Sequence, residues 1–196
     1  MKKILLTLLL ASSMVMTACS SSNGGQIGRE EMAQLSVRAM GDLNYIFKNL
    51  NSSKFTSNPG FSEQLNENLE EIIVTDILME KLQNAPKTQT VIGLTKHDAP
   101  KIKKLATNNI EVTITGVGDS YWLVDGEKSS LPGEKVKENI SENYPATYIL
   151  EYKKTDSGYT LVNFEDDNGQ QLGASRTWKG KPELMKKYRE NPNLIK

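Results

Sequence analysis

Hydrophobic periodicity changes once along this chain, and that change constrains the fold more than any other feature. From Arg29 to Leu50 apolar residues recur at helical spacing, at Met32, Leu35, Ala39, Met40, Leu43, Ile46, Phe47 and Leu50. Polar positions fill the other face, the pattern of an amphipathic helix. Asn51 to Gly60 is a connection rich in Asn and Ser, with Asn58-Pro59 as a restart signal. A second helix is expected from Phe61 to Asn84, marked by Phe61, Leu65, Leu69, Ile72, Ile73, Ile77 and Leu82. Its outer face is acidic at Glu63, Glu67, Glu70, Glu71 and Glu80, and Pro86 closes it. From Thr88 onward the spacing shifts toward two.

Thr90 to Leu94 reads as a short strand, and Asp98 is placed to cap a brief helix over Ala99 to Ala106, with Pro100 in its first turn. Ile110, Val112 and Ile114 alternate with Glu111, Thr113 and Thr115, a half-buried strand. Tyr121 to Val124 continues as a strand that ends at the turn pair Asp125-Gly126. Lys128 to Asn143 is polar and reads as a long loop with one helical turn. Ala146 to Lys153 and Gly158 to Phe164 are the two strands of a hairpin, joined by Lys154-Thr155-Asp156-Ser157. Tyr148, Leu150 and Tyr152 share one face of that hairpin, with Ile149 in the opposite set. Glu165 to Gly173 is turn-rich, and Trp178 with the basic stretch Lys179 to Lys187 leads into a short terminal helix that frays after Asn191-Pro192. Helices first and an antiparallel meander afterwards give an α+β domain over residues 29–196, with two N-terminal amphipathic helices packed on one sheet face.

Upstream of the domain, Lys2 and Lys3 precede a short apolar run from Ile4 to Ala11, and small residues then lead to Cys19, the single cysteine. A membrane-spanning helix needs about 20 apolar residues, so this layout is an export signal instead. Met16-Thr17-Ala18-Cys19 stand at the four lipobox positions, and the segment resembles a bacterial lipoprotein signal, although the family pattern prefers Leu where Met16 stands. The resemblance implies that the Cys19 thiol is alkylated with diacylglycerol, that residues 1–18 are removed, and that Cys19 becomes the lipidated first residue. Membrane lipid is then the first partner. Each buried methylene contributes about 0.8 kcal/mol, so two or three chains on Cys19 would hold the protein firmly on a bilayer. An ordinary secretory signal with a cysteine near its cleavage site is the alternative. Residues 19–28 are small, polar and glycine-rich, a tether with too few apolar side chains to pack. Ser20 and Ser21 lack the acidic residue that often retains such proteins at an inner membrane, which implies an outer-membrane address if the source has two membranes.

Removing residues 1 to 18 from the 196 leaves 178, enough for one domain with a real core. It also takes Lys2 and Lys3 from the 24 basic residues, leaving 22 against 24 acidic. A chain at −2 has no general reason to seek nucleic acid. A single cysteine leaves no disulfide within the chain, so the exported fold must hold by packing alone.

Few residues carry recognisable chemistry. His97 is the only histidine and sits in Lys96-His97-Asp98-Ala99-Pro100, where a loop or capping role competes with catalysis. One histidine and a lipid-committed cysteine leave no zinc site, and no metal or other cofactor is expected. In Glu165-Asp166-Asp167-Asn168-Gly169, counting from Gly169 puts Phe164 and Ser175 where a calcium loop needs carboxylates, so the stretch reads as a solvated turn. Gly116-Val117-Gly118-Asp119 lacks the third glycine of a dinucleotide fingerprint. No nucleophile elbow or phosphate loop occurs, and no catalytic residue is assigned.

Aromatic residues are more informative. Tyr121, Trp122, Tyr148, Tyr152, Tyr159 and Trp178 fall in the sheet half, where polar-tipped rings suit either a pocket or cross-strand packing. Tyr121, Trp122, Tyr148 and Tyr152 are the candidate ligand-binding residues, with Asp119, Asp125 and Glu151 as nearby polar groups. The acidic face of the second helix and the basic Arg176 to Arg189 read as solvated faces that can also pair with each other.

Two amphipathic helices followed by strands, and above all the hairpin Tyr148-Ile149-Leu150-Glu151-Tyr152 to Gly158-Tyr159-Thr160-Leu161-Val162, resemble the NTF2-like (cystatin-like) superfamily over Arg29 to Phe164. The resemblance implies a curved sheet wrapping a helix around a conical pocket. Another helix-plus-meander arrangement is the alternative. Function divides in the same way. The leading expectation is a lipid-anchored, non-enzymatic binding or assembly module of the cell envelope, contacting an envelope protein or a small molecule. The alternatives are a hydrolase or isomerase using pocket carboxylates and a structural linker with a flat apolar patch.

Overall fold

The computed structural model describes residues 27–52, 54–83, 89–123 and 138–195, with the backbone alone at 83, 89–93, 119–123 and 138–144. Its elements run α1 (Arg29–Leu50), α2 (Glu63–Gln83), β1 (Gln89–His97), β2 (Lys101–Lys104), β3 (Ile110–Leu123), β4 (Glu138–Thr155), β5 (Gly158–Glu165), β6 (Gln171–Gly173), α3 (Pro182–Glu190) and a 3₁₀ turn (Pro192–Ile195). Six antiparallel strands form one open sheet along the path β1-β3-β4-β5-β6, with β2 paired to β3 beside β1. The class is α+β, as the period change predicts.

The α1 stripe is buried as its spacing requires: Leu35, Ala39, Leu43, Ile46 and Phe47 are all within the core. Asp42 is buried with them, a polar residue that the amphipathic reading leaves on the outer face. Ser62 caps α2, its Oγ accepting the Leu65 N–H at 3.2 Å. Just before it, Phe61 bridges to Leu161 of β5, and the Ser62 N–H donates to the Leu161 carbonyl at 2.9 Å. The start of α2 is thereby fixed to the sheet.

Alternation in β3 and β4 sets the inner face. Ile110, Val112 and Ile114 stand opposite Tyr152, Leu150 and Tyr148, and all six side chains are buried. Leu161 and Phe164 of β5 and Leu172 of β6 complete the core against α1 and α2. Bulges interrupt the β1–β3, β3–β4 and β4–β5 ladders, each bending its strand and raising local twist.

Several expectations need correction. The helix expected over Ala99 to Ala106 is absent: Lys101–Lys104 is β2, pairing with Ile110 to Thr113. A helix that short does not repay its nucleation, whereas the edge of β3 offers ready ladder partners. Residues 138–143, expected in a loop, belong to β4, where pairing to β3 overrides a polar sequence. The strand begun at Ile110 does continue into Tyr121: β3 runs through Gly116 and Gly118 to Leu123 with one bulge, and Val124 lies outside the described residues. Gly116 is needed there because a Cβ would collide with the Lys96 backbone of β1. The loop expected over Glu165 to Gly173 ends in β6, and the fraying expected after Asn191-Pro192 is a 3₁₀ turn whose Leu194 and Ile195 pack on the fold. Finally, Leu82 is 46% exposed, and the apolar face of α2 turns instead through Val74 and Leu78, which pack on Leu184 and Met185 of α3. The expected closure at Pro86 and turn at Asp125-Gly126 lie outside the described residues.

The acidic face of α2 and the basic tail do meet. Arg176 pairs with Glu71 at 2.7 Å, and the Gly180 N–H donates to the same Glu71 oxygen at 3.0 Å. The Lys181 N–H donates to the Thr75 hydroxyl at 3.1 Å. These contacts seat α3 on the side of α2 away from the sheet.

Candidate functional site

At one end of the sheet interior the packing leaves a cleft of about 410 Å³. Its wall is aromatic: Phe47 from the last turns of α1, Tyr148 from β4, Phe164 from the end of β5, and Trp178 from the segment after β6. Phe47 meets Tyr148 edge-on at 5.0 Å between centroids, and Tyr148 stacks on Phe164 at 6.1 Å. These three rings are nearly buried, so the floor is rigid. Trp178 is half-buried, and both its N–H and that of Thr177 donate to the Gln171 carbonyl, at 3.1 and 3.0 Å.

The rim is acidic. Asp76 of α2 and Asp166 and Asp167 of the β5–β6 turn line it, with Asn51, Asn168 and Gln170. The turn is built on Asp166, whose Oδ1 accepts the N–H groups of Asn168 at 2.9 Å and Gln170 at 2.7 Å. Gly169 takes the positive φ of 74° that closes it. Burial pushes the Asp166 carboxyl above its ordinary range, and those donated hydrogen bonds partly offset the rise. Glu165-Asp166-Asp167-Asn168-Gly169 is thus a turn, as its spacing predicts, and it also forms one wall of the cleft. The three aspartates are not arranged to share a metal ion, and no other three His, Cys, Asp or Glu among the described residues are.

The four aromatic candidates do not come together. Tyr148 lines the cleft. Tyr152, four residues along β4, is fully buried: its hydroxyl donates to Asp42 Oδ2 at 2.9 Å, and the Arg38 guanidinium lies 5.9 Å from its ring centre. Arg38 Nε donates to the same Asp42 oxygen at 3.3 Å, while its other arm reaches the Gly60 carbonyl at 3.2 Å. Tyr152 and Asp42 are buried while the Arg38 side chain stays 34% exposed, and none of the three lines the cleft. Tyr121 and Trp122 pair with Ile140 and Asn139, roughly 25 Å further along β3 than the partner of Tyr148, at about 3.3 Å per residue. Their side chains lie outside the described set, as does that of Asp119. Glu151 belongs to the opposite sheet face from Tyr148, where it accepts from Asn109 at 2.6 Å, so it does not serve the cleft. His97 is exposed at the end of β1, with Nδ1 2.9 Å from the Asp98 carbonyl.

A second, shallower groove of about 430 Å³ lies at the start of α1, between Glu31, Gln34, Lys154 and Tyr159. The Lys154 ammonium, 2.7 Å from Glu31, holds that carboxyl below the usual range, helped by the Tyr159 hydroxyl. Within it Glu31 and Lys154 thus satisfy each other, and Glu30 also lines it.

Phe47, Phe164, Asp76, Asp166 and Asp167 escape sequence reasoning as site residues, because each reads locally as core, helix face or turn. The one available signal is the tryptophan that follows an aspartate-rich turn in a basic, otherwise polar segment. No protein family, curated protein or solved structure matches this chain.

Proposed function

We propose that this protein is a lipid-anchored binding module of the bacterial cell envelope, and that its ligand site is the cleft between α1, α2 and the β5–β6 turn. One observation carries the binding reading: four aromatic side chains and three carboxylates converge on a concavity of about 410 Å³, within the usual range for small-molecule sites. The lipid anchor rests on the Met16-Thr17-Ala18-Cys19 sequence, and the order of two helices before an antiparallel sheet supports an NTF2-like relationship. The test joins both halves. Cys19→Ala should shift the protein from the membrane fraction to the soluble one and abolish lipid labelling. Thermal-shift screening of the soluble protein should then find ligands whose effect is lost in Trp178→Ala. A variant still membrane-bound and labelled removes the anchor; ligands indifferent to Trp178 remove the cleft.

Asp166 favours a second reading, a carboxylate-dependent hydrolase or isomerase in the same cleft, because burial raises its pKa as general acid–base work requires. In that case Asp166→Asn abolishes turnover of a cleft ligand and leaves its binding intact.

A further inference from the structure

We infer that the cleft takes a neutral sugar, with one pyranose ring stacked on Trp178 and its hydroxyls held by the β5–β6 turn. The inference rests on the cleft being a binding site and adds the chemical class of its ligand. Of the four rings in the wall, Phe47, Tyr148 and Phe164 are at most 3% exposed and close the floor, whereas Trp178 is half-buried and is the ring a ligand can reach. A single indole offers one flat apolar face. Its position is set before any ligand arrives. The Trp178 N–H donates to the Gln171 carbonyl at 3.1 Å, the Trp178 carbonyl accepts from Arg176 Nε at 3.1 Å, and the neighbouring Thr177 hydroxyl accepts the Gln171 N–H at 2.8 Å.

The same cleft is lined by Asp166, Asn168 and Gln170 from one turn, and the two amides are exposed. Among the described residues the Gln170 side chain makes no hydrogen bond, so it offers two donors and an acceptor. Asn168 gives its amide nitrogen to Asp167 at 3.2 Å and keeps its side-chain oxygen. The Asp166 carboxylate accepts the N–H groups of Asn168 and Gln170, which holds the turn in the shape that presents both amides. A sugar is two-sided in the same way: each hydroxyl both donates and accepts, which suits a rim of amides and carboxyl groups, and the C–H face of the ring suits an indole. A wholly apolar ligand would strip water from those amides and return no hydrogen bond. The cleft volume of about 410 Å³ lies toward the small end of the range for ligand sites.

Trp178 is also the reporter. The chain has two tryptophans, so Trp122→Phe leaves Trp178 as the sole indole. Fluorescence titrations of that variant, with folding checked by circular dichroism, compare glucose, galactose, mannose and N-acetylglucosamine with two controls. Cyclohexanol is a ring with one hydroxyl, and glycerol has hydroxyls without a ring. Maltotriose and chitotriose stand for glycan chains. At least one sugar should saturate the signal, about tenfold or more tightly than either control. Saturation-transfer NMR of that complex should show the strongest transfer to the C–H protons of one ring face. Gln170→Ala removes one neutral hydrogen-bonding group and keeps the backbone bonds of the turn, so it should weaken the sugar about two- to tenfold and leave cyclohexanol unchanged. Trp178→Ala should abolish the transfer; if it fails to fold, Gln170→Ala and the proton map still decide. A trisaccharide tighter than its monosaccharide by tenfold or more supports a glycan chain as the source, and a smaller difference supports a free sugar. Cyclohexanol as tight as the sugars, or transfer spread evenly around the ring, overturns the inference. Failure of every sugar overturns it too; the binding reading then stands if the thermal-shift screen yields a Trp178-dependent ligand of another class, and falls if that screen is also empty.

Discussion

Asp42 and Tyr152 form the most consequential polar contact inside the domain. Asp42 is 8% exposed, and its carboxylate keeps the Tyr152 hydroxyl and the Arg38 guanidinium as partners. Tyr152→Phe removes one donor from a buried carboxylate and should cost about 1–3 kcal/mol in urea denaturation. Burial raises the pKa of Asp42 above its ordinary value despite both partners. The folded protein therefore binds the proton more readily than the unfolded chain, so this group's contribution is fully present below the unfolded pKa of about 3.9 and is lost as pH rises through the folded value. Asp42→Asn lacks that dependence while its amide oxygen can still accept from Tyr152. The stability of wild type relative to Asp42→Asn should fall as pH rises above about 4; a flat or rising difference would show that Arg38 and Tyr152 outweigh desolvation. Gly173 is a second sensitive position. Its φ of 102° lies in the glycine region, and a Cβ there would strike the Val162 carbonyl. Gly173→Ala should cost at least about 1–3 kcal/mol. Neither residue could be singled out from spacing, because Asp42 looks like a surface acid and Gly173 like a loop glycine until their neighbours are in place.

Among the elements, α2 is the one buried from two directions. Leu65, Leu69, Ile72, Ile73 and Ile77 face the sheet and α1, while Val74 and Leu78 face α3. Leu184→Ala in α3 should therefore behave as a core truncation and cost about 2–5 kcal/mol. Val37→Ala in α1, at a side chain 77% exposed, should stay within about 0.5 kcal/mol. Denaturant midpoints of the two variants check both. The apolar run Ile72-Ile73-Val74 already departs from a single stripe, but its second partner lies about a hundred residues downstream and leaves no local trace. The β2 segment failed for a related reason: Asp98 and Pro100 carry genuine helix-start chemistry, and a ladder partner on β3 outcompeted it. Where pairing and local pattern agreed, as in the β4–β5 hairpin, the pairing of the two strands and their face parity were legible in advance, although β4 extends beyond the expected limits at both ends.

The whole molecule holds its fold without covalent staples. One cysteine permits no disulfide within the chain, so reductant should leave the thermal midpoint of the monomer unchanged. Among the described residues no helix is long and apolar enough to cross a membrane. Membrane attachment, on the present proposal, depends on Cys19.

Periodicity by itself determined the α+β class, the placement of α1, most of the α2 core face and the inward row Tyr148, Leu150 and Tyr152. Those features depend on near-neighbour spacing, which fixes which side chains share a face. The cleft was decided only in three dimensions. Its residues run from Phe47 to Trp178 and come from α1, α2, two strands and three connections. Each satisfies its local pattern as core, helix face or turn. Only the packing of α1 and α2 on the sheet, with Trp178 fixed beside the Asp166 turn, gathers them around one space.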